Sequence, residues 1–252
     1  MGVYYNEHDP KAAAWLRELI KGGHIAAGVV DERSIVDVKP DDLAGYTQCH
    51  FFAGIGGWSY ALRLAGWADD RSVWTGSCPC QPFSAVGKRR GPADPRHLWP
   101  EFFRLISQCK PSVVFGEQIA GGGGPEWLAG VRADLEGAAY AVGAANLPAG
   151  GFGAPHKRER LWFVAVGNTE GIGRRYGVRA IYPPAGSRTE ARQSPWASSA
   201  VSGADGTRRR VAPGHLSLAH GIPGRVGLLR GYGNAIVPQV AAAFIEAYRE
   251  IA

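Results

Sequence analysis

Thr47-Gln48-Cys49-His50-Phe51-Phe52-Ala53-Gly54-Ile55-Gly56-Gly57 is the stretch that decides the fold class. Residues 47–52 read as a buried strand, residues 53–57 as a glycine-rich turn, and Leu62, Leu64 and Ala65 mark a helix over 58–66. A strand passing through a glycine turn into a helix is the building unit of open α/β sheets. It brings backbone, unshielded by side chains, close to whatever sits beyond the carboxyl end of the strand. Taken alone, the pattern fits a cofactor cradle and a plain tight turn equally well.

The same alternation continues to both sides. Upstream, residues 2–5 read as a strand. Asp9 and Pro10 then open a helix that runs through 11–21 to Gly22-Gly23, and residues 28–38 read as a further strand or edge segment. Downstream, strand 71–77 leads into a Pro-rich loop over 79–95. Helix 98–108, strand 112–116, a glycine run at 121–124, helix 125–137 and strands 140–147 and 160–166 follow. Periodicity is lost from 168 to 225, and a last helix occupies 237–249. The expected fold is α/β with a mostly parallel, Rossmann-like sheet, plus a small irregular region. Residues 1–167 and 226–252 would form the main domain and 168–225 the appendage.

Composition narrows the class. The chain has 252 residues, 28 Lys and Arg against 22 Asp and Glu, and a net charge of +6, which suggests an anionic partner without establishing one. Four cysteines are too few for a disulfide framework in a chain of this length. Cys78 and Cys80, two apart, suit neither a metal knuckle nor a redox pair, so no metal is expected and a reducing compartment is. There is no basic-then-apolar leader and no run of about 18 apolar residues, so neither secretion nor membrane insertion is expected.

Gly76-Ser77-Cys78-Pro79-Cys80-Gln81-Pro82-Phe83-Ser84 carries the chemistry. A cysteine on a proline-stiffened loop directly after a strand can be held exposed, where its thiolate can attack an electrophilic carbon. A lone cysteine is more often structural, and the flanking residues reverse that preference. Pro79 to Ser84 resembles the catalytic loop of the DNA cytosine-C5 methyltransferases. Phe52 to Gly57 resembles that family's cofactor loop, and Gly116-Glu117-Gln118-Ile119 its Glu-Asn-Val segment. His156-Lys157-Arg158-Glu159-Arg160 resembles its Gln-x-Arg-x-Arg segment, and Gly233-Asn234-Ala235-Ile236-Val237-Pro238 its C-terminal Gly-Asn motif. The five follow one another in family order across residues 51–240.

The resemblance implies S-adenosylmethionine as methyl donor and cytosine in double-stranded DNA as substrate, the base being flipped from the stack. It implies Cys80 as the nucleophile that adds to C6 and Glu117 as the acid at N3. Arg158 and Arg160 would hold the cytosine O2, the phosphate and carboxylates of the loop. Without the resemblance, Glu117 would read as a surface acid at a strand end, and Lys157 to Arg160 as a solvated charge run. Cofactor contacts fall to Phe52, Ala53, Gly54, Gly56, Gly57, Pro79 and Asn234, and Gln81 and Ser84 would touch DNA.

The family places two acidic cofactor segments between its glycine loop and catalytic loop, and here only about a dozen residues separate the first helix from Gly76. Asn6-Glu7-His8-Asp9 resembles the family's Asn-Glu-x-Asp, and Val30-Asp31-Glu32 its Gly-Asp-Ile. A circularly permuted order is therefore expected, with Glu7 on the ribose, His8 at the adenine face and Asp31 on the adenine amino group. Helix capping and surface acids are the plain alternative. In the family sheet the glycine-loop strand lies between the ribose strand and the catalytic strand. The direct connection here must therefore be left-handed, or its helix must change face. His50 stands where the family commonly has Asp, His156 replaces Gln, and Gln118-Ile119 replaces Asn-Val.

Residues 168–225 occupy the slot of a target-recognition region. Arg174, Arg175, Arg208, Arg209 and Arg210 are candidate DNA contacts, with Asp205-Gly206 as a hairpin turn; a disordered basic loop is the alternative. The expectation is a monomeric, cytoplasmic modification enzyme of the restriction-modification kind, such as a phage or prophage carries, in a bacterial or phage-infected cell. An RNA cytosine-C5 methyltransferase and a catalytically silent DNA-binding homologue are the competing readings.

Overall fold

Strand, glycine turn and helix follow one another around Gly54 in the computed structural model, which describes residues 2–79, 98–167, 200–202, 208–210 and 235–251. In chain order the elements are β1 (Val3–Asn6), α1 (Pro10–Lys21), β2 (Gly28–Asp31), β3 (Gln48–Phe51), α2 (Gly57–Leu64) and β4 (Val73–Gly76). Then come α3 (Trp99–Cys109), β5 (Val113–Ile119), α4 (Gly124–Gly137), β6 (Tyr140–Pro148), β7 (Glu159–Gly167), β8 (Ala200–Ser202), β9 (Arg208–Arg210) and α5 (Pro238–Ile251).

Local chemistry explains the boundaries. Asp9 caps α1 by accepting from the Lys11 and Ala12 backbone N–H groups at 2.8 and 3.1 Å. Pro10 sits at the first turn, where its missing N–H costs nothing. The strand expected over 28–38 is shorter, because β2 stops at Asp31. The Asp31 carboxylate accepts from Arg33 N at 2.9 Å, and Ser34 caps a 3-10 turn over Ile35–Asp37. Such side-chain-to-backbone bonds compete with the sheet ladder and turn the chain away from it. β5 is longer than expected. Its pairing with β7 runs on to Ile119 opposite Arg160, which carries Glu117 inside the sheet.

The main sheet has the order β2-β1-β3-β4-β5-β7-β6. The first five strands are parallel, and β7 runs antiparallel to both its neighbours. The expected mostly parallel α/β architecture is thus present. Each face of the sheet is covered. One face packs Val3 and Tyr5 against α1, and Val73, Phe115 and Trp162 against α2 and α5. The other packs Cys49, Phe51, Trp74, Val114 and Phe163 against α3, α4 and the turns around Ile35 and Leu43. β8 and β9 form a separate antiparallel pair, with the expected Asp205-Gly206 turn lying outside the described residues.

The faces settle the hand of the direct connection. β1–α1–β2 steps along the sheet one way over the first face, and β4–α3–β5 steps the opposite way over the second, so the two share one hand. β3–α2–β4 steps in the direction of β4–α3–β5 but over the first face, with Tyr5 Oη and Ser59 Oγ 2.9 Å apart. Its hand is therefore the reverse of theirs. Since parallel crossovers are right-handed in about 98% of cases, β3–α2–β4 is the left-handed one. The helix has kept its face and the connection has taken the rare hand. No helix among the described residues is long and apolar enough to cross a membrane.

Candidate active site

Asn6, Asp31, Phe51, Gly76 and Gly116 lie on one line across the sheet by strand register, so the carboxyl ends of β1 to β5 share an edge. Ligands of open α/β sheets bind beyond such an edge. Every described candidate for chemistry or cofactor contact sits along it or on the β7 end beside it.

At the centre is the glycine loop. Gly54 and Gly56 take positive φ angles of 55° and 78°, and Gly56 caps α2 in the left-handed conformation. Phe52 also takes a positive φ, 52°, a strained state for a residue with a Cβ. A Cβ on Gly57 would stand 2.7 Å from Ile236 Cγ1, so this turn is also where the segment before α5 docks. Glu7, just past β1, fixes the loop from the side. Its two carboxylate oxygens accept from Gly54 N at 2.7 Å and Asp9 N at 2.8 Å. Ala53 is buried beneath the loop.

Towards the β2 edge, Asp31 is engaged by its neighbours. It accepts from Tyr4 Oη at 2.7 Å and from the Arg33 fork at 2.7 Å and 2.9 Å. Burial pushes this carboxyl up, but the Arg33 and Tyr4 hydrogen bonds outweigh it and hold the pKa below its ordinary value. Asn6 Nδ2 donates to the Asp31 and Arg33 carbonyls, and the exposed His8 ring bonds the Glu32 carbonyl at 3.0 Å. Both contacts tie the β1 end to the β2 end. A cavity of about 470 Å³ lies here between Tyr4, Tyr46, Arg17 and Asp31.

On the other side of the loop the environment changes. Glu117 is buried and pairs with Arg160, Nε to Oε1 at 2.8 Å. Burial raises its pKa, with Arg160, Arg158 and a hydrogen bond from Ser77 opposing the rise. Ser77 follows β4 directly and also accepts from Trp58 Nε1 at 3.0 Å. Arg158 has a positive φ of 33° and donates from Nη2 to the Ala235 carbonyl at 2.7 Å, joining the Arg-x-Arg segment to the Gly-Asn segment. Its pKa is lowered by burial and by Arg160.

Cys78 and Pro79 separate sharply. Cys78 is buried in the second-face core, and burial drives its thiol pKa up, which leaves it unsuited to form a thiolate; Pro79 is exposed. The chain therefore emerges at Pro79. Cys80, Gln81, Ser84, Arg174, Arg175 and Asn234 lie outside the described residues, as do the side chains of Arg208, Arg209 and Arg210. His50, where the family has Asp, is fully enclosed, bonds Thr75 Oγ1 at 2.8 Å, and is pushed down to about 3 by burial, so it stays neutral. No group of three or more metal-ligating residues occurs among the described residues. Sequence reasoning missed Ser77 and Trp58: nothing in their residue types marks them, and only the fold brings the end of β4 and the first turn of α2 together.

Comparison with known proteins finds a family match over part of this site. Residues 68–174 match the model of the C-5 cytosine-specific DNA methylases. The Type II methyltransferase M.AplI of Arthrospira platensis is 30% identical over 150 residues, covering 45% of this chain and 44% of that protein. M.HhaI of Haemophilus parahaemolyticus is 26% identical over 173 residues, covering 53% of each. This chain thus spans about half the length of those relatives. Among solved structures, the S. pombe Dnmt2 methyltransferase aligns with 67% of this chain and 51% of its own at 16% identity, with a TM-score of 0.41.

Proposed function

Residues 68–174 carry a domain of the C-5 cytosine-specific DNA methylase family, and from that premise we propose that the chain methylates C5 of cytosine in double-stranded DNA, using S-adenosylmethionine. One observation carries the reading: the buried Glu117–Arg160 pair at 2.8 Å, on the sheet edge where the Pro79-Cys80 loop leaves β4. A carboxyl with a raised pKa beside a guanidinium suits a polar heterocycle that needs a proton donor at one atom and an N–H donor at the next.

In this mechanism the flipped cytosine presents N3 to Glu117 and O2 to Arg160, whose fork keeps further N–H donors beyond the one given to Glu117. The Cys80 thiolate adds to C6, and the proton on Glu117 offsets the charge that develops at N3. Electron density moves to C5, which takes the methyl group. Removal of the C5 proton and departure of the Cys80 thiolate restore the ring. Arg158, tied to Ala235, holds the Gly-Asn segment against the site.

The cradle around Gly54 fits the methyl donor. A Cβ there would meet nothing closer than the Phe52 carbonyl at 3.9 Å, and each Glu7 oxygen keeps a second lone pair for a ribose hydroxyl. Phe52, Ala53, Gly54, Gly56, Gly57, Glu7, His8 and Pro79 would surround it, with Asn234 closing the far side. Asp31 would reach the adenine amino group by sharing its carboxylate with Arg33. When bound, S-adenosylmethionine supplies an electrophilic methyl on a sulfonium.

Residues 168–225, with Arg174, Arg175 and Arg208 to Arg210, are proposed as the DNA-reading region, and Gln81 and Ser84 as contacts near the flipped base. The chain would act as a monomer wherever DNA is modified in a bacterial or phage-infected cell.

The decisive test incubates the purified protein and Cys80→Ala with labelled S-adenosylmethionine and duplex DNA or tRNA. Label should enter DNA alone and vanish in the variant. Transfer to tRNA alone would overturn the substrate. DNA binding with neither transfer nor a covalent adduct on 5-fluorocytosine DNA would mean a silent binding module.

The permuted order is part of the same proposal. It is supported by β3 lying between β1 and β4, and by the left-handed hand of β3–α2–β4. Gly2 O bonds Thr47 N at 3.0 Å and Thr47 O bonds Val73 N at 3.2 Å, so the three strand starts are neighbours. A gene that places residues 47–70 before residues 2–46, with short Gly-Ser linkers, should fold to the same sheet with a right-handed crossover. A product without cooperative unfolding would count against the permutation.

A further inference from the structure

Asp31 has no acceptor position left for a ligand while Arg33 keeps its present place. Oδ2 of the carboxylate accepts from Tyr4 Oη at 2.7 Å, Arg33 Nη2 at 2.7 Å and Arg33 Nε at 2.9 Å. Oδ1 accepts from Arg33 N at 2.9 Å and again from Arg33 Nε at 3.1 Å. A carboxylate offers about four lone-pair sites, so these donors saturate it. The cavity beside it is lined by Asp31 together with Tyr4, Arg17, Arg33, Asp42 and Tyr46. Any further donor arriving from that cavity must displace one already bound. Tyr4 is buried, with its ring packed against Tyr46 and Phe51 at 5.4 and 6.0 Å. Arg33 N belongs to the turn that ends β2. The Arg33 side chain is the donor able to move, because it is 46% exposed on a flexible stem.

It also has a second carboxylate to turn to. Arg33 Nη1 donates to Asp42 Oδ2 at 3.1 Å, and Lys39 N holds that oxygen in place at 2.9 Å. Arg17, the other cation at the cavity, is tied to Glu32 at 2.7 Å and to the Val30 carbonyl at 3.3 Å, so Arg33 is the one set against Asp31. We propose that Arg33 is a positioning residue that sets the affinity for the methyl donor through Asp31: it competes with the adenine amino group for the carboxylate and turns toward Asp42 when the donor binds. The inference rests on reading Asp31 as the adenine contact. The exchange gives up one guanidinium N–H bond for one amino N–H bond, so a 6-amino purine is still selected while its affinity is held down. Arg33 then opposes binding and Asp42 favours it, although the two are partners in one network.

The test measures binding of S-adenosylhomocysteine, the donor without its methyl group, to the whole chain by calorimetry. Arg33→Met keeps the stem and removes the fork. It should bind about two- to fivefold more tightly, the range set by an exposed ion pair. Asp42→Asn can still accept from Lys39 N but attracts Arg33 less, and should bind about twofold more weakly. In the double variant that loss should disappear, since no guanidinium is left to receive. The deaminated analogue, with a carbonyl where adenine has its amino group, is the readout that a loosened fold would not move. It brings no donor to Asp31, so Arg33→Met should not improve its binding. A folded Arg33→Met that binds S-adenosylhomocysteine no more tightly than wild type overturns the proposal, and so does an equal gain for both ligands. If the affinities move as stated but no DNA is methylated, the methylation reading fails and the competition at Asp31 stands. If neither wild type nor Arg33→Met binds either ligand, the reading of Asp31 as the adenine contact and the proposal fall together.

Discussion

Glu117 and Asp31 are both carboxylic acids at the carboxyl ends of strands in one sheet, and the protein treats them in opposite ways. Glu117 is enclosed between β4, β5 and β7, and burial outweighs its donors, so its pKa rises. Asp31 sits near the open β2 edge, and the Arg33 and Tyr4 hydrogen bonds outweigh burial, so its pKa falls. Glu7, between them, gives both oxygens to backbone N–H groups. A carboxyl whose pKa is raised suits acid–base chemistry, and one held ionised suits a fixed acceptor. On the proposed function, the difference divides the edge at the glycine loop into a reacting half and a holding half.

The strongest way to break the division is Glu117→Gln. Gln keeps the shape and can still accept from Arg160, but it cannot carry a proton to N3. Methyl transfer should fall by about 10²–10⁴-fold, the usual worth of a positioned general acid, with S-adenosylmethionine affinity little changed by calorimetry. A variant that transfers normally but binds the donor weakly would move Glu117 into the holding half.

Arg160→Met comes next. It leaves Glu117 buried without its main counter-charge, a loss of about 3–5 kcal/mol when the acid is ionised. The sign of the pH dependence is fixed by the raised pKa. A group raised above its ordinary value of 4.5 contributes stability that is full below that value and is lost as pH rises through the folded pKa. The deficit of Arg160→Met should therefore grow with pH and shrink towards acid, in urea titrations across the range. A deficit independent of pH would mean that the pair acts through packing alone.

How much of this was legible in the sequence also follows the division. Glu117, Arg158 and Arg160 could be read because each lies in a motif of fixed spacing. Glu7 and Asp31 could be read only by allowing the motif order to be permuted. Ser77 and Trp58 could not be read at all. Serine and tryptophan occur in many roles, and nothing before the register of β4 against β5 puts Ser77 beside Glu117. The hand of β3–α2–β4 was equally hidden, since periodicity shows which stripe of a helix is buried but not which sheet face buries it. β2 ended early because the Asp31 and Ser34 side chains bond local backbone, a competition that residue propensity does not rank.

Glu7→Gln should have a smaller effect, and on a different quantity. It weakens the charge-assisted bond from Gly54 and removes charge from the proposed ribose contact. Such bonds contribute about 1.5–3 kcal/mol. Donor affinity should fall by roughly 10- to 100-fold on that basis, while single-turnover transfer at saturating donor changes little. Loss of rate at saturation would tie Glu7 to the reacting half.

Asp31→Asn should have the smallest effect and sharpens the comparison most. The Asp31–Arg33 pair is 2.7 Å long, but 46% of the Arg33 side chain is exposed, and exposed pairs contribute about 0.2–1 kcal/mol. Asparagine can still accept from Tyr4 and Arg33. Stability at neutral pH should fall by no more than about 1 kcal/mol, and donor affinity only a few-fold. The acid side is where the variant separates. A pKa held below 3.8 contributes stability that is present above that value and lost as pH falls through the folded pKa. Wild type should thus lose its advantage over Asp31→Asn below about pH 4, a lower window than that of the Arg160→Met deficit, which develops as pH rises above about 4.5. If the Asp31→Asn deficit also developed only above about pH 4.5, the two acids would be in like environments, and the contrast between the halves of the edge would be wrong at its root.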